Sequence, residues 1–96
     1  MPSLSTHVLD TGQGRPAADV QVELWRDGER IASARTDGDG RIADLGSDLR
    51  PGTYCLVFQP PSPFFTRIEL ELVLEDGHYH VPLLVSPYSC ASYRGS

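Results

Sequence analysis

Three polar side chains stand where the strand pattern of this 96-residue chain does not need them: His7, Arg41 and His80. Histidine, with a reference pKa of about 6.5, moves protons readily near neutral pH. A histidine placed against a water is therefore a candidate general base. Arginine presents a rigid charged fork that can hold a planar, oxygen-rich ligand or stabilise charge developing on a carbonyl oxygen. The three come from widely separated parts of the chain, so only a fold could assemble them. Taken singly, each also has an ordinary reading: a strand histidine is usually structural or solvated, and an arginine after Asp-Gly is usually just exposed.

Other constellations compete. In His78-Tyr79-His80 two histidines share one face of a strand, and with His7 they could form a three-histidine zinc site. No carboxylate-rich stretch adjoins them, and we assign no metal. Asp37-Gly38-Asp39-Gly40 has the look of a calcium loop but lacks the bidentate glutamate that such a loop requires. Cys90, with Ser86, Ser89 and Ser92 nearby, invites a nucleophile reading. No Gly-x-Ser-x-Gly elbow surrounds any of these serines, and a small apolar filler is the plainer role for Cys90.

The elements that must position these residues are short strands. Leu4 to Asp10 alternates, with His7 and Leu9 on one face and Thr6 and Val8 on the other. Thr11 to Pro16 reads as a loop. Val20 to Trp25 is a half-buried strand, Asp27-Gly28 a tight hairpin turn, and Arg30 to Thr36 the returning strand. Arg41 to Leu45 follows the double turn signal at Asp37 to Gly40. Thr53 to Gln59 places Tyr54, Leu56 and Phe58 on one face. After the Pro60-Pro61-Ser62-Pro63 break, Arg67 to Leu74 turns Ile68, Leu70, Leu72 and Leu74 inward. Asp76-Gly77 leads into the strand that begins at His78, and Ser86-Pro87 into a last one ending near Tyr93. Some eight short strands with regular turn signals, and nothing of helical period, predict a single all-β domain over residues 1–96, an antiparallel β-sandwich.

Composition narrows the function classes. At 40% hydrophobic the chain has enough apolar residues for one core. A net charge of −5, with all eight basic residues arginine and no basic cluster, argues against nucleic-acid binding. No apolar run approaches the roughly twenty residues of a membrane span. Met1 to Asp10 lacks the basic start and apolar core of a signal peptide. Cys55 and Cys90 have no metal-ligand spacing and are too few for a disulfide framework. A cytoplasmic location is the expectation by elimination.

Specific stretches then resemble a known family. Leu4-Ser5-Thr6-His7-Val8-Leu9-Asp10, Gly14-Arg15-Pro16-Ala17, Asp39-Gly40-Arg41, His78-Tyr79-His80-Val81-Pro82-Leu83-Leu84 and the final Tyr93-Arg94-Gly95-Ser96 are similar to motifs of the transthyretin-related 5-hydroxyisourate hydrolases. The resemblance runs from end to end and is weakest in the middle. It implies a transthyretin-like sandwich that hydrolyses 5-hydroxyisourate to 2-oxo-4-hydroxy-4-carboxy-5-ureidoimidazoline in urate breakdown. It implies His7, Arg41 and His80 as catalytic residues, with Tyr93, Arg94, Gly95 and Ser96 completing the substrate pocket. One histidine would serve as base, assisted by the other, in an order left open. It implies no cofactor, and a homotetramer built as a dimer of dimers. Two departures stand out: Pro60 to Thr66 is shorter than the family's usual segment, and Cys90 replaces a common aromatic residue. The alternatives are a transthyretin-type carrier of a small ligand and a hydrolase of a related cyclic amide.

Overall fold

A chain whose apolar residues recur every second position can bury them only by pairing strands and stacking one sheet on another. The computed structural model describes residues 1–95, and among them nine strands form: β1 (Ser3–Asp10), β2 (Arg15–Pro16), β3 (Gln21–Arg26), β4 (Glu29–Arg35), β5 (Arg41–Gly46), β6 (Gly52–Phe58), β7 (Ile68–Leu74), β8 (His78–Ser86) and β9 (Ser89–Ser92). One sheet has the order β2-β1-β8-β9, with β5 also paired to β1, and the other has the order β4-β3-β6-β7. No helix among the described residues is long and apolar enough to cross a membrane.

The inner faces carry the core expected from the alternation. Leu4 and Val8 of β1, Val22 and Leu24 of β3, Leu56 and Phe58 of β6, and Leu83 and Val85 of β8 are essentially fully buried. Truncating Phe58 to alanine would cost about 3–5 kcal/mol through lost burial and the cavity left behind. Thr6 also faces inward and is reconciled to burial by donating its hydroxyl to the Val81 carbonyl at 2.6 Å. The β3–β4 hairpin turns through Asp27 (φ 51°) and Gly28 (φ 76°). Such left-handed pairs match the twist of the flanking strands.

Two features differ from the sequence expectation. The segment read as a loop contains the two-residue β2, where Pro16 and Arg15 pair with Leu9 and Asp10. More consequentially, the sandwich is not wholly antiparallel: β1 and β8 run parallel, in register from Ser3 opposite His78 to Asp10 opposite Val85. A parallel pair needs a long crossover connection, and here nearly the whole chain, passing through the second sheet, supplies it. At β7 the inward expectation holds for Ile68 and Leu74, whereas Leu70 and Leu72 are only partly buried. That strand is a sheet edge, and the two leucines line an open groove of about 460 Å³ with Tyr79, Val81, Tyr93 and Arg94.

Candidate active site

The three singled-out residues meet on the outer face of the first sheet. His7 on β1 is directly opposite Arg41 on β5, and Ser5 on β1 is opposite His80 on β8. Directly paired residues point to the same face, and His7 follows Ser5 by two, so all four side chains share one side. β1 is thus the middle of a three-strand platform, with Arg41 on one flank and His80 on the other.

Local chemistry explains why Arg41 lies there. Asp37 folds its carboxylate back to accept the backbone N–H groups of Asp39 (2.9 Å) and Arg41 (3.0 Å), closing the turn that the double Asp-Gly signal marks. These two N–H groups, and then the Arg41 guanidinium and His7, hold the Asp37 carboxyl below its ordinary pKa. Gly40 is required in this turn. Its φ is +74°, and a Cβ there would lie 2.5 Å from the Val8 carbonyl oxygen. The Gly40 carbonyl in turn accepts the Val8 N–H at 2.7 Å, pinning the turn to β1. The Arg41 side chain is exposed and has no ion-pair partner among the described residues.

Each histidine is oriented by a different partner. His7 Nε2 lies 2.9 Å from the Asp39 carbonyl oxygen. A carbonyl only accepts, so Nε2 carries the hydrogen and the neutral ring leaves Nδ1 bare. His80 Nδ1 lies 2.8 Å from the Ser5 hydroxyl, so Nε2 is the nitrogen left available to a reactant. The pKa of His80 is lowered, first by burial and then by repulsion its charged form would meet from the His7, Arg41 and His78 side chains. It is held as a neutral imidazole at neutral pH, the form a base needs.

The end of the chain is divided. Gly95 bridges to His80, donating its N–H to the His80 carbonyl at 2.6 Å, and a Cβ on Gly95 would sit 2.9 Å from His80 Cδ2. Arg94 turns its side chain towards Tyr79 rather than towards His80. Tyr93 and Arg94 both border the groove at the open side of the sandwich, with the Arg94 guanidinium 4.3 Å from the centre of the Tyr79 ring. Ser96 lies outside the described residues. Among the described residues no group of three or more His, Cys, Asp or Glu side chains is placed to hold a metal ion.

Sequence reasoning missed three participants. Ser3 lies 2.6 Å from His78 Nδ1, and the Ser5 hydroxyl lies 2.9 Å from His78 Nε2 as well as against His80. Ser3, Ser5 and His7 share one face by period two, as do His78 and His80. That signal was available, but only the parallel register of β1 and β8 reveals that the two sets interlock. His78, read from its position as a turn neighbour, is part of the same network.

A neutral histidine, a second histidine of fixed tautomer and a guanidinium unpaired among the described residues, all on one face, make a set able to activate water and stabilise an oxyanion. The family model described as the HIUase/Transthyretin family matches residues 4–95. The chain belongs to that family. It is 41% identical to a 5-hydroxyisourate hydrolase of Pseudomonas aeruginosa, with 100% of this chain and 93% of the relative covered. Over those 117 aligned positions the 96 residues leave 21 positions of the relative unmatched, so this member is trimmed relative to it. The structure of Klebsiella pneumoniae 5-hydroxyisourate hydrolase superposes with a TM-score of 0.92 at 39% identity, each chain fully covered. Sea bream transthyretin in complex with thyroxine has a TM-score of 0.84 at 28% identity, covering 96% of this chain and 93% of that one. The family therefore includes both hydrolases and a ligand-bound transthyretin, and the site must discriminate between them.

Proposed function

We propose that the protein hydrolyses 5-hydroxyisourate, the activity carried by the names of its relatives at about 40% identity. The observation that carries the reading to this chain is the convergence of His7, Arg41 and His80 from three adjacent strands onto one face. Opening the ring adds water to a lactam carbonyl and breaks its C–N bond. His80, kept neutral, takes a proton from the water through Nε2. The Arg41 guanidinium holds the carbonyl oxygen as it becomes an oxyanion. His7, anchored to the Asp39 carbonyl, offers Nδ1 to orient the substrate or the water. Gly95 belongs to the site through its contact with His80, and Arg94, stacked over Tyr79, steadies the segment that carries it.

The assembly we propose is a homotetramer. The platform is an open face rather than a closed pocket, and a second copy laid across it would exclude water from the reacting groups. Exposed Val73 on β7 and exposed Tyr88 beside β9 give the edges of both sheets apolar surface for a partner copy. Light scattering is expected to give four chains per particle, and a stable monomer at micromolar concentration overturns this part of the proposal. Free thiols at Cys55 and Cys90 suit a reducing compartment, which is the support for a cytoplasmic location.

The deciding experiment generates 5-hydroxyisourate in place from urate with urate oxidase and follows the loss of its absorbance. The protein is expected to accelerate the decay over the spontaneous rate, and the His80→Ala variant to lose that acceleration while staying folded. Decay at the spontaneous rate with folded wild-type protein refutes the proposal.

A further inference from the structure

The hydrogen-bonded row behind His80 is longer than orientation of one ring requires. Ser3 Oγ meets His78 Nδ1 at 2.6 Å, His78 Nε2 meets Ser5 Oγ at 2.9 Å, and Ser5 Oγ meets His80 Nδ1 at 2.8 Å. Ser5 is buried beneath the two rings, while Ser3 is half-buried and His78 exposed, so the row runs from the reacting face to solvent. Ser5 has one hydroxyl hydrogen, and its hydroxyl is bonded to no group other than the two imidazoles among the described residues, so it donates to one ring and accepts from the other. The tautomers of His78 and His80 are therefore locked together, in one of two opposite polarities.

We infer that Ser5 and His78 form a proton relay that lets His80 act as a base without becoming an imidazolium. The inference rests on the hydrolase reading above. In the resting polarity His80 Nδ1–H donates to Ser5, Ser5 donates to His78 Nε2, and His78 Nδ1–H donates to Ser3. His80 Nε2 then bears a lone pair. When water attacks, its proton joins His80 Nε2 and the Nδ1 proton passes to Ser5. The Ser5 proton passes to His78 Nε2, the His78 Nδ1 proton to Ser3, and the Ser3 proton to solvent. One proton enters and one leaves, both rings end neutral, and the row has reversed polarity. Running backwards, the same shift takes a proton in at Ser3 and delivers one from His80 Nε2 to the departing ring nitrogen.

The surroundings make such a route useful. The titratable and charged groups facing His80 are His7 from β1, Arg41 from β5 and His78 from its own strand; all disfavour its charged form, after burial, which disfavours it most. The Asp37 carboxylate of the turn is engaged by the N–H groups of Asp39 and Arg41. Among the described residues no carboxylate is paired with His80 or Arg41, so a simple imidazolium at His80 would form beside a guanidinium, whereas the relay places the proton at the solvent end. Ser5 and His78 are positioning residues in this scheme, since they act through His80.

Two variants test it, with His78→Gln the more telling. Glutamine can keep an amide in hydrogen-bond reach of Ser5 but cannot pass a proton through itself, and the exposed position makes misfolding no concern. The expected result is a loss of kcat of about tenfold or more, part of the roughly 10²–10⁴ that general acid–base catalysis supplies as a whole. The rate in H₂O–D₂O mixtures is expected to curve for wild type and become linear in the variant, and added imidazole to restore part of the lost rate. Ser5→Ala is expected to do the same, and ¹⁵N spectra of the resting protein to show His80 leaving the Nδ1–H tautomer. Wild-type kcat and an unchanged proton inventory in His78→Gln would overturn the relay. An inactive wild type would instead defeat the hydrolase reading, and the ¹⁵N tautomers would still decide whether Ser5 locks the two rings together.

Discussion

Replacing Gly95 with alanine separates the site from the stability of the fold. An added Cβ would lie 2.9 Å from His80 Cδ2, too close to be kept, and a tight 3.2 Å from the His80 carbonyl oxygen. The strain has two outlets. The final segment can lift away, losing the 2.6 Å bond from Gly95 N–H to the His80 carbonyl. Alternatively the imidazole can tilt, losing its 2.8 Å bond to Ser5. Each outlet gives up one hydrogen bond of about 1 kcal/mol, so neither dominates and the global loss is small. For a domain of this size that is a fall in Tm of about 4–8 °C. The effect on chemistry is larger, because a displacement near 1 Å at a reacting group can cost about 10²-fold. We expect kcat/KM for 5-hydroxyisourate to fall by about tenfold or more, read from the absorbance decay beside a circular dichroism melt. Activity within about twofold of wild type would refute the reasoning that Gly95 seats the imidazole.

The other expectations are briefer. Arg41→Ala should leave Tm within about 2 °C, since an exposed side chain without an ion-pair partner contributes little. It should nonetheless lower kcat by about 10²-fold or more, the usual loss for a group stabilising an oxyanion. The pH–rate profile should hold its plateau below pH 6.5 before falling on the acid side, because the lowered pKa of His80 keeps the base neutral there. The stability sign follows the same shift. The unfolded chain protonates this ring first, so His80 contributes a loss of stability as pH drops through 6.5 towards the folded pKa, and none above it. Denaturant melts at pH 5 and 7.5, compared with His80→Gln, check that term. Thr36→Val should cost about 2–3 kcal/mol in urea unfolding. The buried Thr36 hydroxyl accepts the Val20 N–H at 2.9 Å and donates to the Ala17 carbonyl at 2.7 Å, and valine satisfies neither.

Much of the architecture was legible because period-two alternation reports directly on which side chains share a face. Val22 and Leu24 on β3, and Tyr54, Leu56 and Phe58 on β6, are buried as their spacing demanded. Alternation says nothing about which strand lies beside which. That is why the parallel β1–β8 pairing could not be read, nor the interlocking of Ser3 and Ser5 with His78 and His80 that depends on it. Leu70 and Leu72 were read as core from the same alternation, yet they lie at a sheet edge where the open groove leaves them partly wet. Among the candidate site residues, His7, Arg41 and His80 stood out as polar residues that the strand pattern leaves unexplained. The placing of Arg94 over Tyr79 depends on how a short irregular segment leaves β9 and has no sequence period to announce it.

The pairing of β1 with β8 also governs when the molecule can first do chemistry. Ser5 and His80, like Thr6 and Val81, are joined across 75 residues of chain. At synthesis rates of about 5–20 residues per second, β1 spends on the order of 4–15 seconds without its parallel neighbour. The second sheet is joined more locally, through the β3–β4 hairpin and the antiparallel pairs of β6, and can assemble in that interval. The histidine face arises only when β8 closes onto β1, a non-local step of the kind that slows folding. Catalytic competence is therefore a late event in the life of each nascent chain. It reports that the most distant parts of the sequence have found each other.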